Sequence, residues 1–322
     1  MNAILEQIQR LAIVPVVVLD DAADAASVAD ALCRGGLPVA EVTFRTDAAE
    51  ESIRIISREF PNMLVGAGTV LSIEQADRAI AAGAKFIVSP GFNPKVVAHC
   101  IERNIPVAPG CSTPSDMEAA LEMGLDVVKF FPAEQAGGIK AIKAMAAPYV
   151  KLKFMPTGGI NSKNINDYLS FNRVIACGGS WMVSKDLVKN KEFDKIRDLT
   201  REAVMTVHGF ELMHVGINCA NETEACSVAD SFEKLFGFTA RNGSSSVFAG
   251  SFIEAMKTPY LGSSGHIAVG CNDIERAIAY LEGIGTKVDM DTAKYDDAKK
   301  LKAVYLPGEI GGFAVHLVQK QL

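Results

Sequence analysis

The sequence predicts an α/β chain: a compact (β/α)8 barrel over residues 1–208, followed by an α+β domain of two paired β-α-β-β-β modules over residues 209–322. Three observations predict it. Short β-rich runs alternate with Ala-rich helical stretches as far as residue 181, and such alternation implies parallel strands joined by right-handed crossovers. Every run has Gly, Pro or polar residues at or just beyond its end, as though all the ends surround one site, which favours a barrel over an open doubly wound sheet. From residue 210 the grammar changes to two similar units, and His208-Gly209 joins them to the first part without a flexible Gly/Ser linker.

The first strand-like run is AIVPVVVL (12–19); VAEVTF (39–44), LVGAGTV (64–70) and FIVSPG (86–91) follow. The next four are PVAPGC (106–111), VVKFFP (127–132), KFMPTGG (153–159) and RVIACGGSW (173–181). Between them lie helix patterns such as DAASVADALCRGG and SIEQADRAIAAGA. Eight strand-helix units within about 190 residues suit a small TIM barrel, and an amphipathic helix over 191–207, KEFDKIRDLTREAVMTV, is expected to close it. The first later module runs MHVGIN, a helix through SVADSFEKLFGF, then strands near VFAGSFIEAMK. The second runs GHIAVG, DIERAIAYLEGIG, TKVD, KAVYLP and FAVHLVQK. The charged stretch DMDTAKYDDAKK (289–300) reads as a solvated loop or short helix.

With 322 residues, half of them apolar, the chain has material for two cores. A net charge of −6 argues against a nucleic-acid or anionic-membrane surface. No apolar run approaches the roughly 20 residues that span a bilayer. Glu6 and Arg10 precede the first apolar run, so the N-terminus does not read as a signal peptide. Seven cysteines without CxxC pairs read as reduced thiols in a cytoplasmic protein.

Lys129 stands in Val-Val-Lys-Phe-Phe, and desolvating an ammonium costs several kcal/mol. Alone, it reads as a strand-end lysine whose head reaches solvent. Alternation along a barrel strand puts Val127, Lys129 and Phe131 on one face, and Glu41, Thr43 and Arg45 on one face of the second strand. Thr69 ends the third. An amine nucleophile must lose its proton, which apolar flanks and a nearby guanidinium favour. Arg45 can clamp a carboxylate bidentately and Glu41 can move protons. The set suits Schiff-base chemistry on a 2-oxo acid; the alternative is a plain Glu41–Arg45 ion pair. TGGI and GGSW end the seventh and eighth strands, where loops of such barrels hold phosphate. Gly158, Gly159, Gly179 and Ser180 are the candidates; Gly pairs of this kind also read as turns.

EVTFRT, GAGTV, SPG, PGCST, VKFFPAE, PTGGI and GGSW occur in this order across residues 41–181. Together they resemble the class I aldolases that cleave 2-keto-3-deoxy-6-phosphogluconate (KDPG) and 4-hydroxy-2-oxoglutarate (KHG), over residues 1–208. The resemblance implies a cofactor-free pyruvate lyase of the Entner–Doudoroff type, acting on small 2-oxo acids as a homotrimer. Lys129 is then the Schiff-base lysine and Glu41 the proton shuttle. Arg45 and Thr69 hold the pyruvyl carboxylate, and Phe131 and Pro132 pack against the imine.

The five histidines are His99, His208, His214, His266 and His316. His214 and His266 open the first strands of the two later units, and Glu254 and His316 lie on their last strands. Two paired modules form a cupped sheet at whose centre four equivalent positions meet. This layout resembles the vicinal-oxygen-chelate superfamily, which includes glyoxalase I and extradiol dioxygenases, over residues 210–320. It implies a divalent metal held by His214, Glu254, His266 and His316, a donor set that suits Zn, Fe(II), Co or Ni. Two departures stand out: His316 occupies a position where a carboxylate is common in that family, and the first module is about ten residues the shorter. The chain is then an aldolase with an accessory metabolite-binding domain or a bifunctional protein with a metal-dependent isomerase or lyase; without metal, these are strand-end histidines in a packing or oligomer-contact domain.

Overall fold

The computed structural model describes residues 1–321. The chain divides into a first compact unit, Met1–Val207, and a second that begins at His208. Among the described residues no helix is long and apolar enough to cross a membrane.

The first unit opens with a helix absent from the sequence-based expectation, α1 (Ala3–Leu11). Asn2 caps it by accepting from the Ile4 amide at 2.8 Å, and Leu5 and Ile8 are its buried stripe. Eight parallel strands follow: β1 (Ile13–Val17), β2 (Val39–Thr43), β3 (Leu64–Gly68), β4 (Ile87–Val88), β5 (Val107–Ala108), β6 (Val127–Phe130), β7 (Lys153–Pro156) and β8 (Cys177–Gly179). The helices after β1 to β5 are α2 (Ala25–Arg34), α3 (Ala49–Glu59), α4 (Ile73–Ala82), α5 (Pro94–Glu102) and α6 (Pro114–Glu122). Then come α7 (Gly138–Ala146), α8 (Ile165–Leu169), α9 (Lys185–Lys189) and α10 (Phe193–His208). Thr113 and Asp116 close a capping box on α6 with Pro114 in its first turn, which fixes where that helix starts after β5.

β1, β2 and β3 are buried at every residue, as expected of a parallel sheet covered on both faces. Six strands pair continuously in the order β5-β4-β3-β2-β1-β8, and β6 pairs with β7. Isolated parallel bridges link Gly110 to Lys129, Phe154 to Val174 and Thr157 to Gly178. The result is a curled, TIM-like parallel sheet, and the strands are shorter than the apolar runs suggested. The runs overshoot because residues beyond the strand ends are apolar for packing, not for pairing.

Among the described residues the second unit is a single eight-stranded sheet with two helices. Its elements are β9 (Glu211–Asn218), α11 (Glu222–Phe236), β10 (Ala240–Asn242), β11 (Ser246–Ala249), β12 (Ile253–Met256), β13 (Gly265–Cys271), α12 (Ile274–Gly283), β14 (Asp289–Tyr295), β15 (Leu301–Tyr305) and β16 (Phe313–Gln319). Strand order is β10-β11-β12-β9-β13-β16-β15-β14. Two small cores form, one on α11 residues Ala225 and Ala229 with Val247, Ala249 and Ala255, the other on α12 residues Ile274 and Ala277 with Val304 and Leu317. Alternation along each strand sends the remaining side chains to the opposite face.

Residues 289–300 correct the sequence reading: Asp289–Tyr295 is strand β14, not a loop or helix. It is an edge strand that pairs only with β15, with register irregularities, and most of its side chains are exposed. Charges on an edge strand deter pairing with other chains and erase the alternation that would reveal it.

Candidate functional site

In the first unit, Lys129 is 4 % exposed and Glu41 fully buried, which overturns the solvent-reaching lysine. The Lys129 ammonium donates to Glu41 Oε1 at 3.3 Å, so the partner of Glu41 is Lys129 and not Arg45. The other carboxylate oxygen, Glu41 Oε2, is buried with no hydrogen-bond partner in the protein. The backbone of Lys129 is tied to the end of β5: its amide donates to Pro109 O at 2.9 Å and its carbonyl accepts from Cys111 at 2.8 Å. A buried ion pair contributes little to stability, since desolvation consumes most of the Coulombic gain; its retention here is understandable as chemistry.

Gly68 makes room for this carboxylate, because a Cβ there would lie 2.1 Å from Glu41 Oε1. Gly68→Ala should therefore displace Glu41 and cost about 1–3 kcal/mol through overpacking. Thermal unfolding beside pyruvate-release kinetics checks it; unchanged values in both would show that Glu41 tolerates displacement.

Arg45 and Thr69 meet: Arg45 Nε donates to Thr69 Oγ1 at 3.2 Å. Neither is on a strand, however. β2 ends at Thr43, whose hydroxyl donates to Val17 O at 3.2 Å, and the turn after it, Arg45 N to Thr43 O at 2.8 Å, swings the exposed Arg45 to the rim. Thr69 has φ 56° just past β3, a left-handed conformation rare for a β-branched residue and worth about 1–3 kcal/mol of strain. Phe131 likewise falls one residue beyond β6, with its ring centroid 5.4 Å from Lys129 Nζ.

A cavity of about 170 Å³ is lined by Arg45, Phe131, Thr157, Gly158 and Gly159, together with Gly179 and Ser180. All four candidate phosphate residues thus share one wall system with Arg45 and Phe131. Lys129, Glu41, Thr69 and Pro132 are not on that wall; Phe131 connects the lysine to it, and Pro132 backs Gly158, 3.2 Å from where a Cβ would stand. Gly158 and Gly159 have φ of 102° and 79°, a backbone shape that leaves amide groups free to approach an anion. The sequence reading missed Thr157, which is buried with its hydroxyl unpartnered in the protein. Its position immediately before the Gly pair was the available signal.

In the second unit the face opposite the helices carries His214, His266 and His316. His214 Nε2 lies 3.1 Å from His266 Nε2, and Glu254 Oε2 lies 3.1 Å from each of them. One ring nitrogen from each of His214, His266 and His316 falls within 4.8 Å of the others. Ser246, also missed in the sequence, donates to Glu254 Oε1 at 2.7 Å. A Cβ on Gly216 would lie 2.0 Å from the His266 ring, so that glycine admits the imidazole. Tyr305 stacks on His316 with centroids 4.6 Å apart.

Burial acts on the Glu254 carboxyl to raise its pKa, but hydrogen bonds with His214, His266 and Ser246 outweigh it and hold the group well below the usual carboxylate range. Burial, and then the neighbouring His266 and His214, push the His316 imidazole down to about 3. His316 is 7 % exposed, and neither of its ring nitrogens has a hydrogen-bond partner in the protein. A buried polar group left so costs about 1–3 kcal/mol. A neutral, unpartnered imidazole beside two others and an ionised carboxylate is a donor set that fits a divalent metal.

Comparison with known proteins concerns the first unit. The family model described as "Aldolase: KDPG and KHG aldolase" matches residues 4–199. A 2-dehydro-3-deoxy-phosphogluconate aldolase of Haemophilus influenzae is 49 % identical over 201 residues, covering 62 % of this chain and 95 % of that protein. A KDPG aldolase from Legionella pneumophila, solved with pyruvate captured as a covalent carbinolamine, superposes with a TM-score of 0.60 at 38 % identity, covering 62 % of this chain and 97 % of that one. The KDPG aldolase of Zymomonas mobilis, solved with 3-phosphoglycerate, gives a TM-score of 0.58 at 41 % identity over 62 % of this chain and 94 % of that one.

Proposed function

The chain belongs to the KDPG and KHG aldolase family, and from that premise we propose that its first unit cleaves KDPG to pyruvate and glyceraldehyde 3-phosphate, KHG to pyruvate and glyoxylate, or both. It is a class I, Schiff-base pyruvate aldolase, a carbon–carbon lyase. The observation that carries the residue roles is the buried pair of Lys129 Nζ and Glu41 Oε1 at 3.3 Å. In this reading the eight strands of residues 1–208 form one barrel, joined by single bridges where the pairing thins. A homotrimer and a cytoplasmic setting belong to the same proposal; that all seven cysteines are free thiols supports the latter.

Neutral Lys129 attacks the C2 carbonyl of the substrate, and Glu41 passes a proton to the departing hydroxyl of the carbinolamine. Loss of water leaves a protonated imine, an electron sink. Glu41 then takes the C4-hydroxyl proton, the C3–C4 bond breaks, and its electron pair moves into the imine to give an enamine while the aldehyde leaves. Protonation at C3 and hydrolysis release pyruvate and restore the amine. Arg45 and Thr69 hold the carboxylate, Phe131 and Pro132 flank the imine, and Gly158, Gly159, Gly179 and Ser180 hold the phosphate. The Zymomonas structure with 3-phosphoglycerate supports an anionic phosphate end in this family. Borohydride added with pyruvate should fix one reduced pyruvyl group on Lys129, read by peptide mass spectrometry. An adduct on another lysine, or none, overturns the assignment.

A second reading concerns the second unit. The order β-α-β-β-β occurs twice in it, with β9 and β13 antiparallel neighbours at the middle of the sheet. This supports two paired modules of vicinal-oxygen-chelate type over residues 209–322. His214, His266, His316 and Glu254 would hold a divalent ion, which when bound supplies Lewis acidity to an oxygen ligand. Ser246 fixes the Glu254 carboxylate and Gly216 the room for His266, and burial keeps the His316 imidazole neutral and available. A bifunctional chain, or an accessory domain that binds a metabolite, follows from this site.

A further inference from the structure

The face of the second unit that carries the histidines continues beyond them. Cross-strand register runs Arg241 opposite Phe248, Phe248 opposite Glu254, Glu254 opposite Gly216, and Gly216 opposite His266. Arg241 is therefore in the same transverse row as the His/Glu cluster, on the face away from the helices, while its neighbour Ala240 packs toward the α11 core. Arg241 and Glu254 sit two strands apart, roughly 10 Å at the backbone. Phe248 lies between them as an apolar wall, its ring centroid 5.7 Å from that of His214.

A cleft of about 600 Å³ opens along this row, a size that holds a small metabolite. Arg241, Ser244, Ser245, Ser246, Ser251 and Glu254 line it. Ser246 already donates to Glu254 and can only accept from a ligand, but the hydroxyls of Ser244, Ser245 and Ser251 can each donate and accept, whereas an apolar ligand would leave them unpaired. Among the described residues the one cation on the wall is Arg241, of whose donors one, on Nη2, goes to Gly250 O at 2.7 Å. The remaining donors suit a carboxylate or phosphate. At one end of the cleft is Glu254, the member of the candidate metal cluster that reaches its wall, at the other a guanidinium, and hydroxyls line the rest.

We propose that the second unit binds an acyclic, polyhydroxylated acid of about six carbons, with its chelating end at the His214/His266/His316/Glu254 cluster and a second anionic group on Arg241. The proposal rests on the metal reading above and adds to it a substrate class and a binding residue. Such a ligand is of the same chemical kind as the barrel's substrates, a hydroxylated acid with a terminal anion, so the two units would work on neighbouring members of one compound class.

The test uses full-length protein loaded with Co(II), whose visible absorption reports on the second-unit ion, with 6-phosphogluconate and gluconate as probes. Binding of either probe in the barrel leaves that band unmoved. The expected result is a saturable change of the band with 6-phosphogluconate, at about tenfold lower concentration than with gluconate, because gluconate lacks the second anion. Arg241→Ala should keep the Co(II) band and lose about tenfold in 6-phosphogluconate binding, closing the gap between the probes, and Arg241→Lys should restore part of it. A band unmoved by either probe, or an Arg241→Ala protein that still discriminates between them, overturns the ligand class while leaving the metal site standing. No Co(II) band in the native protein, or one that survives in His214→Ala/His266→Ala, overturns the metal reading and this proposal with it.

Discussion

Lys129→Ala should lower pyruvate release from KDPG and KHG by about 10⁵-fold, the low end of the effective molarity of an oriented nucleophile. No neighbouring amine can take over: the pocket wall offers Arg45, whose guanidinium is not a nucleophile at neutral pH. Removing the ammonium also leaves Glu41 buried without its partner, and stranding one member of a buried pair costs about 3–5 kcal/mol unless the carboxyl protonates. A loss of activity could then be a loss of fold. Lys129→Met, which fills the same volume without the charge, separates the two: it should stay folded, stay inactive and take no pyruvate adduct with borohydride. Release of pyruvate at more than a percent of the native rate by a folded Lys129→Met protein would sink the Schiff-base role of this lysine. Any metal-dependent property of the second unit should be untouched by either variant.

The native full-length chain, purified without a metal-binding tag, should carry close to one equivalent of divalent metal, and His214→Ala/His266→Ala should carry none. Metal that binds only the folded state adds about 4 kcal/mol of stability when its free concentration is a thousand times Kd. The native protein should therefore unfold at a lower temperature after chelation, whereas the double variant should show no such shift. Comparing shifts, and not absolute midpoints, matters because the His266 ring fills the space over Gly216 and its removal destabilises the unit with or without metal. Absence of metal from the native protein after exposure to Zn, Co and Ni would return the three histidines to a packing role. It would leave the chain an aldolase with an accessory domain.

Much of the first unit is legible in the sequence because parallel strands buried on both faces need continuous apolar runs, and crossovers need helices of regular length between them. Seven motifs at strand ends carry the aldolase resemblance in the sequence itself. The twofold β-α-β-β-β order of the second unit was legible because each of two similar runs of elements opens on a strand and a helix, and so were its histidines, since so rare a residue at matching positions stands out. β14 was not, because an edge strand dressed in charge hides its period. α1 was not legible either, because a helix of nine residues holds too few turns for its apolar period to stand out.

By itself the sequence determined which residue types were available: one lysine in an apolar run, an acid and an arginine four apart, two Gly pairs, and three histidines in corresponding places. The tertiary structure decided their partners. It gave Glu41 to Lys129 across the sheet, over a separation of 88 residues, and placed Arg45 with Thr69 through turns that strand alternation could not anticipate. It also recruited Thr157, Ser246 and Gly216, whose parts depend only on what lies opposite them. The reason is physical: periodicity along a chain reports which face a side chain takes, whereas pairing, hydrogen bonding and desolvation depend on distances that closing the sheets alone creates.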